Sequence, residues 1–174
     1  MKKQAGLWSL MGFGVTSLAG TLLHFLYDAT GGWVWVAPFS GVNESTWEHM
    51  KLLFWPMLAV AVVQSRHFSS REDYWCIKRN GALIGLALIP LLFYTYNGAI
   101  GTSPDWLNIG IFFVSAGVAY LYEAKALNLP ATSCKHPRRA LALLWLTAAL
   151  FVIFTFVTPR VGIFRDPLTG GYGI

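Results

Sequence analysis

From Gln4 to Tyr27 the chain carries no Asp, Glu, Lys or Arg. Crossing a hydrocarbon layer about 30 Å thick takes about 20 apolar residues of helix, so this run is long enough to span one. Inside lipid every backbone amide must find its partner within the structure, which leaves helices or closed barrels. Four more apolar runs follow, parted by short segments rich in charge, proline or glycine. They predict helices over about 5–27, 44–65, 81–97, 106–127 and 140–158, with a tail over 159–174. Only 12% of the residues are charged, about half the share of a soluble domain, and 55% are hydrophobic. The expected fold is all-α: one domain over 1–174, a polytopic membrane bundle of five transmembrane helices. A cleaved signal peptide, with Ser17-Leu18-Ala19 as the cleavage site, is the competing reading of the first run. Its apolar stretch is too long for a usual signal core of roughly 7–15 residues.

The net charge is +5, yet the basic residues are spread over short loops. This excludes a nucleic-acid surface and leaves the lipid bilayer as the expected partner. Lys2, Lys3, the Arg66–Arg79 segment and the Lys135–Arg139 segment are basic, whereas Ala29–Gly41 and Gly98–Asp105 hold no Lys or Arg. By the positive-inside rule the N-terminus is cytoplasmic, and five spans put the C-terminus outside. Cys76 and Cys134 then face the cytoplasm and are expected to be free thiols. No Cys-x-x-Cys or Cys/His zinc spacing is present.

Two stripes mark the first helix. Gly12, Thr16 and Gly20 recur every four residues and allow close approach of a neighbour, a route to helix-mediated oligomers as well as to internal packing. Ser17, Thr21, His24 and Asp28 form a polar stripe toward the helix end. The segment after it, Ala29 to Gly41, holds Trp33 and Trp35 among glycines, as suits the headgroup level. Pro56 and Pro90 are expected to kink the second and third helices. In the third, Gly81 and Gly85 form a small-residue pair.

The polar signal concentrates in Val42 to Lys51, V-N-E-S-T-W-E-H-M-K, at the head of the second helix. Ser45 and Glu48 have capping-box spacing, and Glu44 and Glu48 suit the positive end of the helix dipole. With the expected topology His24, Asp28, Asn43, Glu44, Glu48, His49, Lys51, Tyr94 and Asn97 gather at one outer level, with Tyr96 and Asn108 nearby. Ionisable groups at a membrane span mark a functional site by default. His24 with Asp28, and Glu44 with Glu48, are i,i+4 pairs, and together could give four donors to a divalent metal. No H-E-x-x-H is present, and Glu44 to His49 is the wrong spacing for an E-x-x-H pair. The competing reading is a buried network in which Lys51 neutralises Glu48. The tail, Arg160 to Ile174, has turn signals at Asp166-Pro167 and Thr169-Gly170-Gly171. Its apolar residues predict that it folds back over the outer face, with Asp166 or the terminal carboxylate meeting Lys51, or Arg165 meeting Glu44.

The V-N-E-S-x-W-E-H-x-K segment follows a first helix ending in His24-Phe25-Leu26-Tyr27, and the C-terminus reads F-x-D-P-x-T-G-x-Y-G-I over Phe164 to Ile174. In these motifs the chain resembles a family of small bacterial and archaeal membrane proteins classed as a domain of unknown function. The resemblance covers nearly the whole chain. It implies a multi-pass protein of the prokaryotic cytoplasmic membrane and carries no activity or cofactor with it. Three functions fit the residues: binding of a small molecule or cation at the outer face for uptake or sensing, metal-assisted hydrolysis within the membrane, or a structural or assembly role.

Overall fold

The computed structural model describes residues 2–101 and 104–174, with side chains from residue 4 onward. The chain is an all-α bundle of five long helices: α1 (Lys2–Ala29), α2 (Thr46–Ser65), α3 (Tyr74–Ile100), α4 (Asp105–Asn128) and α5 (Pro137–Phe156). A single 3-10 turn, Gly162–Phe164, follows in the tail. Cross-links between helix ends give an alternating up-and-down order. The Gln64 amide near the end of α2 donates to the Trp8 carbonyl near the start of α1. Lys51 at the start of α2 meets Thr155 at the end of α5. We call the level where α1 ends and α2 begins the His end, and the opposite level the Cys end.

α2 is the hub. It packs on α1, α3, α4 and α5, and twelve of its twenty residues are buried. The outer helices show the reverse of a soluble protein's surface. Leu7, Leu10, Leu18, Leu22 and Phe25 of α1 are exposed, as are Leu121 of α4 and Leu146 of α5. An apolar exterior is stable only against apolar surroundings, so this belt matches a bilayer. Four helices, α1, α3, α4 and α5, are long and apolar enough to cross one. α2 is not among them, because Glu48, His49, Lys51 and Gln64 lower its apolarity. Glu48, Lys51 and Gln64 are buried and His49 is half-buried, so most of the polar content that removes α2 from the count is internal. Both α2 and α3 run on as helix through Pro56 and Pro90.

The small residues act as expected. A Cβ at Gly12 would lie 2.5 Å from the Tyr120 ring, and one at Gly20 2.8 Å from the Leu52 carbonyl. Between them Thr16 shares a 2.7 Å hydrogen bond with the Tyr120 hydroxyl. The stripe therefore seats α1 on α2 and α4. Gly85 does the same for α3 against Leu53.

The Cys end departs from expectation in two ways. The Arg66–Asn80 segment, read as a polar loop, is helical from Tyr74 onward. Lys78 is consequently no loop charge: it is buried and bonds Glu123 at 2.5 Å and Gln64 at 2.6 Å. Cys76 and Cys134, expected as free thiols, form a disulfide with Cα atoms 6.3 Å apart. The early start of α3 puts Cys76 in its first turns, and Asp73 draws the α4–α5 connection against it. The Asp73 carboxylate accepts from the Thr132 amide at 2.9 Å and takes a two-pronged bond from Arg71. Burial alone would push this carboxyl up. The bonds from Arg71 and Thr132 outweigh it and hold Asp73 below the usual carboxylate range.

Candidate functional site

The His end is assembled from the turn before α2. Ser40 accepts from the Tyr27 amide at 2.9 Å and donates to the Leu23 carbonyl, and the Gly41 amide also reaches Leu23. This clamp folds the Trp33–Trp35 segment back on α1, with both tryptophans exposed. Asn43 then accepts from the Ser45 amide, and Ser45 caps α2 by accepting from the Glu48 amide. The capping box is only half formed. Glu48 reaches past Ser45 and accepts from the Val42 amide at 3.0 Å.

That reach ties Glu48 into a closed group. Lys51 is wholly buried and spends its three donors on Glu48 at 2.6 Å, the Ala37 carbonyl at 2.8 Å and Thr155 at 3.0 Å. The pairing of Lys51 with Glu48 is as the i,i+3 spacing suggested. The group joins the Trp loop, α2 and α5, and leaves Lys51 no free donor. The tail does not enter it. Asp166 instead holds its own turn through the Leu168 amide and the Thr169 hydroxyl. Arg165 pairs in a short bridge with Tyr172. The tail does fold back, seating Phe164 against Trp47 and Phe154, and Asn43 donates to the Gly173 carbonyl at 3.0 Å.

A second group stays open. His24 Nε2 lies 3.6 Å from one oxygen of Glu44, and His49 Nε2 lies 3.5 Å from the other. All three are partly exposed, Glu44 the most at 41%. Among the described residues this is the one group of three or more His, Cys, Asp or Glu whose donor atoms lie within 4.8 Å of one another. His49 Nδ1 donates to the Ser45 carbonyl at 3.0 Å, so in the neutral ring Nε2 carries the lone pair. Beside the group is a cleft of about 340 Å³, counting the part open to solvent. Glu44, Thr46 and His49 line one side, with Ile89, Phe93, Asn108, Ile111 and Phe112 opposite.

The four-donor set expected from His24, Asp28, Glu44 and Glu48 is therefore not assembled. Asp28 is exposed one turn beyond His24, and Glu48 is turned inward to Lys51. Because α2 begins at Thr46, Glu44 stands before the helix and its i,i+4 relation to Glu48 does not hold. His49 joins His24 and Glu44 instead. Tyr94 is exposed, and Asn97 bonds back to the Phe93 carbonyl of its own helix. The Lys78–Glu123–Gln64 group was missed. Its signal was present: Glu123 is the lone acid in the apolar run of α4.

A family model covers residues 1–174 from end to end. The chain belongs to the family of unknown function DUF6512. No curated protein and no solved structure matches it. Membership in DUF6512 agrees with the expected family of unknown function but supplies no ligand. The chemistry of this DUF6512 chain has to be read from its own groups.

Proposed function

We propose that this is a five-pass protein of the prokaryotic cytoplasmic membrane that binds a cation or small polar ligand at its extracytoplasmic face, for uptake or sensing. The N-terminus lies in the cytoplasm and the C-terminus outside. α2, about 30 Å long at ~1.5 Å per residue, crosses with the other four as their shielded centre. Loop charge supports the orientation, with Arg66, Arg71, Arg79, Lys135, Arg138 and Arg139 all at the Cys end. The observation that carries the reading is the convergence of His24, Glu44 and His49 beside an open cleft that Glu44 and His49 help to line. The two other acid–base clusters inside the bundle, among the described residues, are paired internally, Lys51 with Glu48 and Lys78 with Glu123. The test is a thermal-shift panel of monovalent and divalent cations and small polar molecules on the full chain in nanodiscs. At least one should stabilise the protein, and His49→Ala and Glu44→Gln should abolish that response while Glu72→Gln keeps it. A panel with no response, or one equally strong in all variants, refutes the site.

A further inference from the structure

We infer that His24, Glu44 and His49 form a three-donor site for a divalent transition ion of the zinc class, with a fourth coordination position facing the cleft between α2, α3 and α4. The inference rests on the ligand-site reading above and names its ligand. The spacing is the first argument. His24 lies 3.6 Å from one oxygen of Glu44 and His49 3.5 Å from the other, both too long for hydrogen bonds, and one donor atom from each of the three residues lies within 4.8 Å of the other two. An ion bound tetrahedrally at about 2.0–2.1 Å holds neighbouring donors roughly 3.4 Å apart. The gap is the size of an ion and larger than the span of a shared proton.

Orientation is the second argument. His49 has committed its Nδ1 hydrogen to the Ser45 carbonyl, so its Nε2 lone pair is aimed at the Glu44 carboxylate. A lone pair facing a carboxylate is repulsive, and a cation between them relieves the repulsion. The same bond is the outer-shell contact that metal-binding histidines use to fix their tautomer. Lys51, the nearest ammonium in sequence, is tied to Glu48, Ala37 and Thr155 and does not fill the gap. His24 Nδ1 is buried without a hydrogen-bond partner among the described residues, so its ring is held by packing beside Gly41.

The donor set narrows the ion. Two imidazoles and a carboxylate suit zinc and its first-row neighbours. Magnesium and calcium favour all-oxygen shells, and copper(I) favours sulfur. Three protein donors with one free position is the arrangement of reactive zinc sites, and closed structural sites use four. Here the free position faces the cleft, whose enclosed part holds about one water molecule. Two neutral imidazoles and one carboxylate leave a divalent ion one net positive charge, so the fourth ligand is water or an anion.

The test uses the full chain in detergent, stripped with chelator and then titrated with Zn²⁺ alone or Co²⁺ alone. One Zn²⁺ per chain is expected, and the Co²⁺ form should show the intense visible bands of a four-coordinate site. Added azide should shift those bands by entering the fourth position. His49→Ala and His24→Gln should each weaken Zn²⁺ binding by roughly 100-fold or more, beyond the 10–100-fold typical of losing an outer-shell partner. Glu72→Gln should leave it unchanged, and unaltered helicity and monodispersity show that a variant has folded. Absence of stoichiometric Zn²⁺, binding undiminished in both histidine variants, or a weak six-coordinate Co²⁺ spectrum would each overturn the metal assignment. If Zn²⁺ fails while another cation or polar molecule still stabilises the protein through His49, the metal assignment falls and the broader ligand site stands. If nothing binds, both fall.

Discussion

Gln64 and Lys78 at the Cys end of the bundle, and Glu44 and His49 at the His end, are all polar groups at the ends of apolar helices. At the Cys end Lys78 bonds Glu123 and Gln64, and the rings of Tyr74 and Tyr120 lie 5.6 and 5.9 Å from its ammonium. Gln64 spends its amide on the Trp8 carbonyl. Every strong group there has a partner, and the knot joins α1, α2, α3 and α4. At the His end Glu48 and Lys51 form a matching knot, but Glu44, His24 and His49 stand beside it at non-bonding distances, next to a cleft. Ionisable residues inside a membrane bundle are thus not one class. Those with every hydrogen bond satisfied fix helix packing, and those left open are available to a ligand.

The largest effect should come from the closed knot. Removing one member of a buried pair strands a charge and typically costs about 3–5 kcal/mol, whereas replacing both with apolar groups is often near neutral. Glu123→Ala should therefore destabilise the protein by about that amount in denaturant unfolding, and the double change Lys78→Met with Glu123→Leu should recover most of it. A single-variant loss under about 1 kcal/mol would erase the contrast between the two ends.

The disulfide comes next. A covalent tie of this kind typically contributes about 2–4 kcal/mol, so Cys134→Ser should lower stability by that amount. It also bears on orientation. The proposed orientation puts the Cys end in the cytoplasm, where disulfides are rare. In intact cells both cysteines should then react with a membrane-permeant maleimide and resist an impermeant one. After purification in air neither should react. A pair already oxidised in cells would argue that the Cys end faces outward and that the loop-charge orientation is reversed.

What could be read from the sequence follows the same divide. The helical architecture was legible because lipid-length apolar runs leave little choice of structure. The stripe Gly12-Thr16-Gly20 and the Glu48–Lys51 pair were legible because both are set by local helical spacing. The His24–Glu44–His49 group was only partly so. Its members were all named, but the partner of Glu44 depended on where α2 begins, and a two-residue shift moved Glu44 off the helix. Lys78 and Cys76 were misread for a similar reason. Polarity made Arg66–Asn80 look like a loop, while contacts with Glu123 and Thr132, 45 and 59 residues distant, decided its structure. The tail's docking by Phe164 followed from its apolarity, but which charges it would meet did not.

A smaller effect should come from Asp73, and its sign is fixed by the direction of its shift. Arg71 and Thr132 hold its carboxyl below the ordinary range in the folded protein. The stability this provides is fully present above the unfolded value, about 3.9, and is lost as pH falls through the folded one. Hydrogen bonds to charged groups contribute about 1.5–3 kcal/mol, so Asp73→Ala should cost about that much at pH 6 to 7. The gap between wild type and variant should close as the pH is lowered below 4. A gap independent of pH would mean that Asp73 acts through packing and not through its charge.

The smallest change in stability should belong to the residue most important for the ligand. His49 makes one hydrogen bond, to its own helix, and its remaining nitrogen faces Glu44 at 3.5 Å without bonding it. One ordinary hydrogen bond is worth about 1 kcal/mol, so His49→Ala should cost that or less. Glu72→Gln, at an exposed position, should stay within about 0.5 kcal/mol of wild type. The two variants should thus be nearly alike in unfolding, and only the ligand-dependent thermal shift should part them. A side chain kept for packing shows its worth when the empty protein unfolds, and one kept for a ligand shows it only when the ligand is present. If His49→Ala instead costs 3 kcal/mol or more without any ligand, the open end is a structural knot like the closed one, and the contrast on which the site rests is gone.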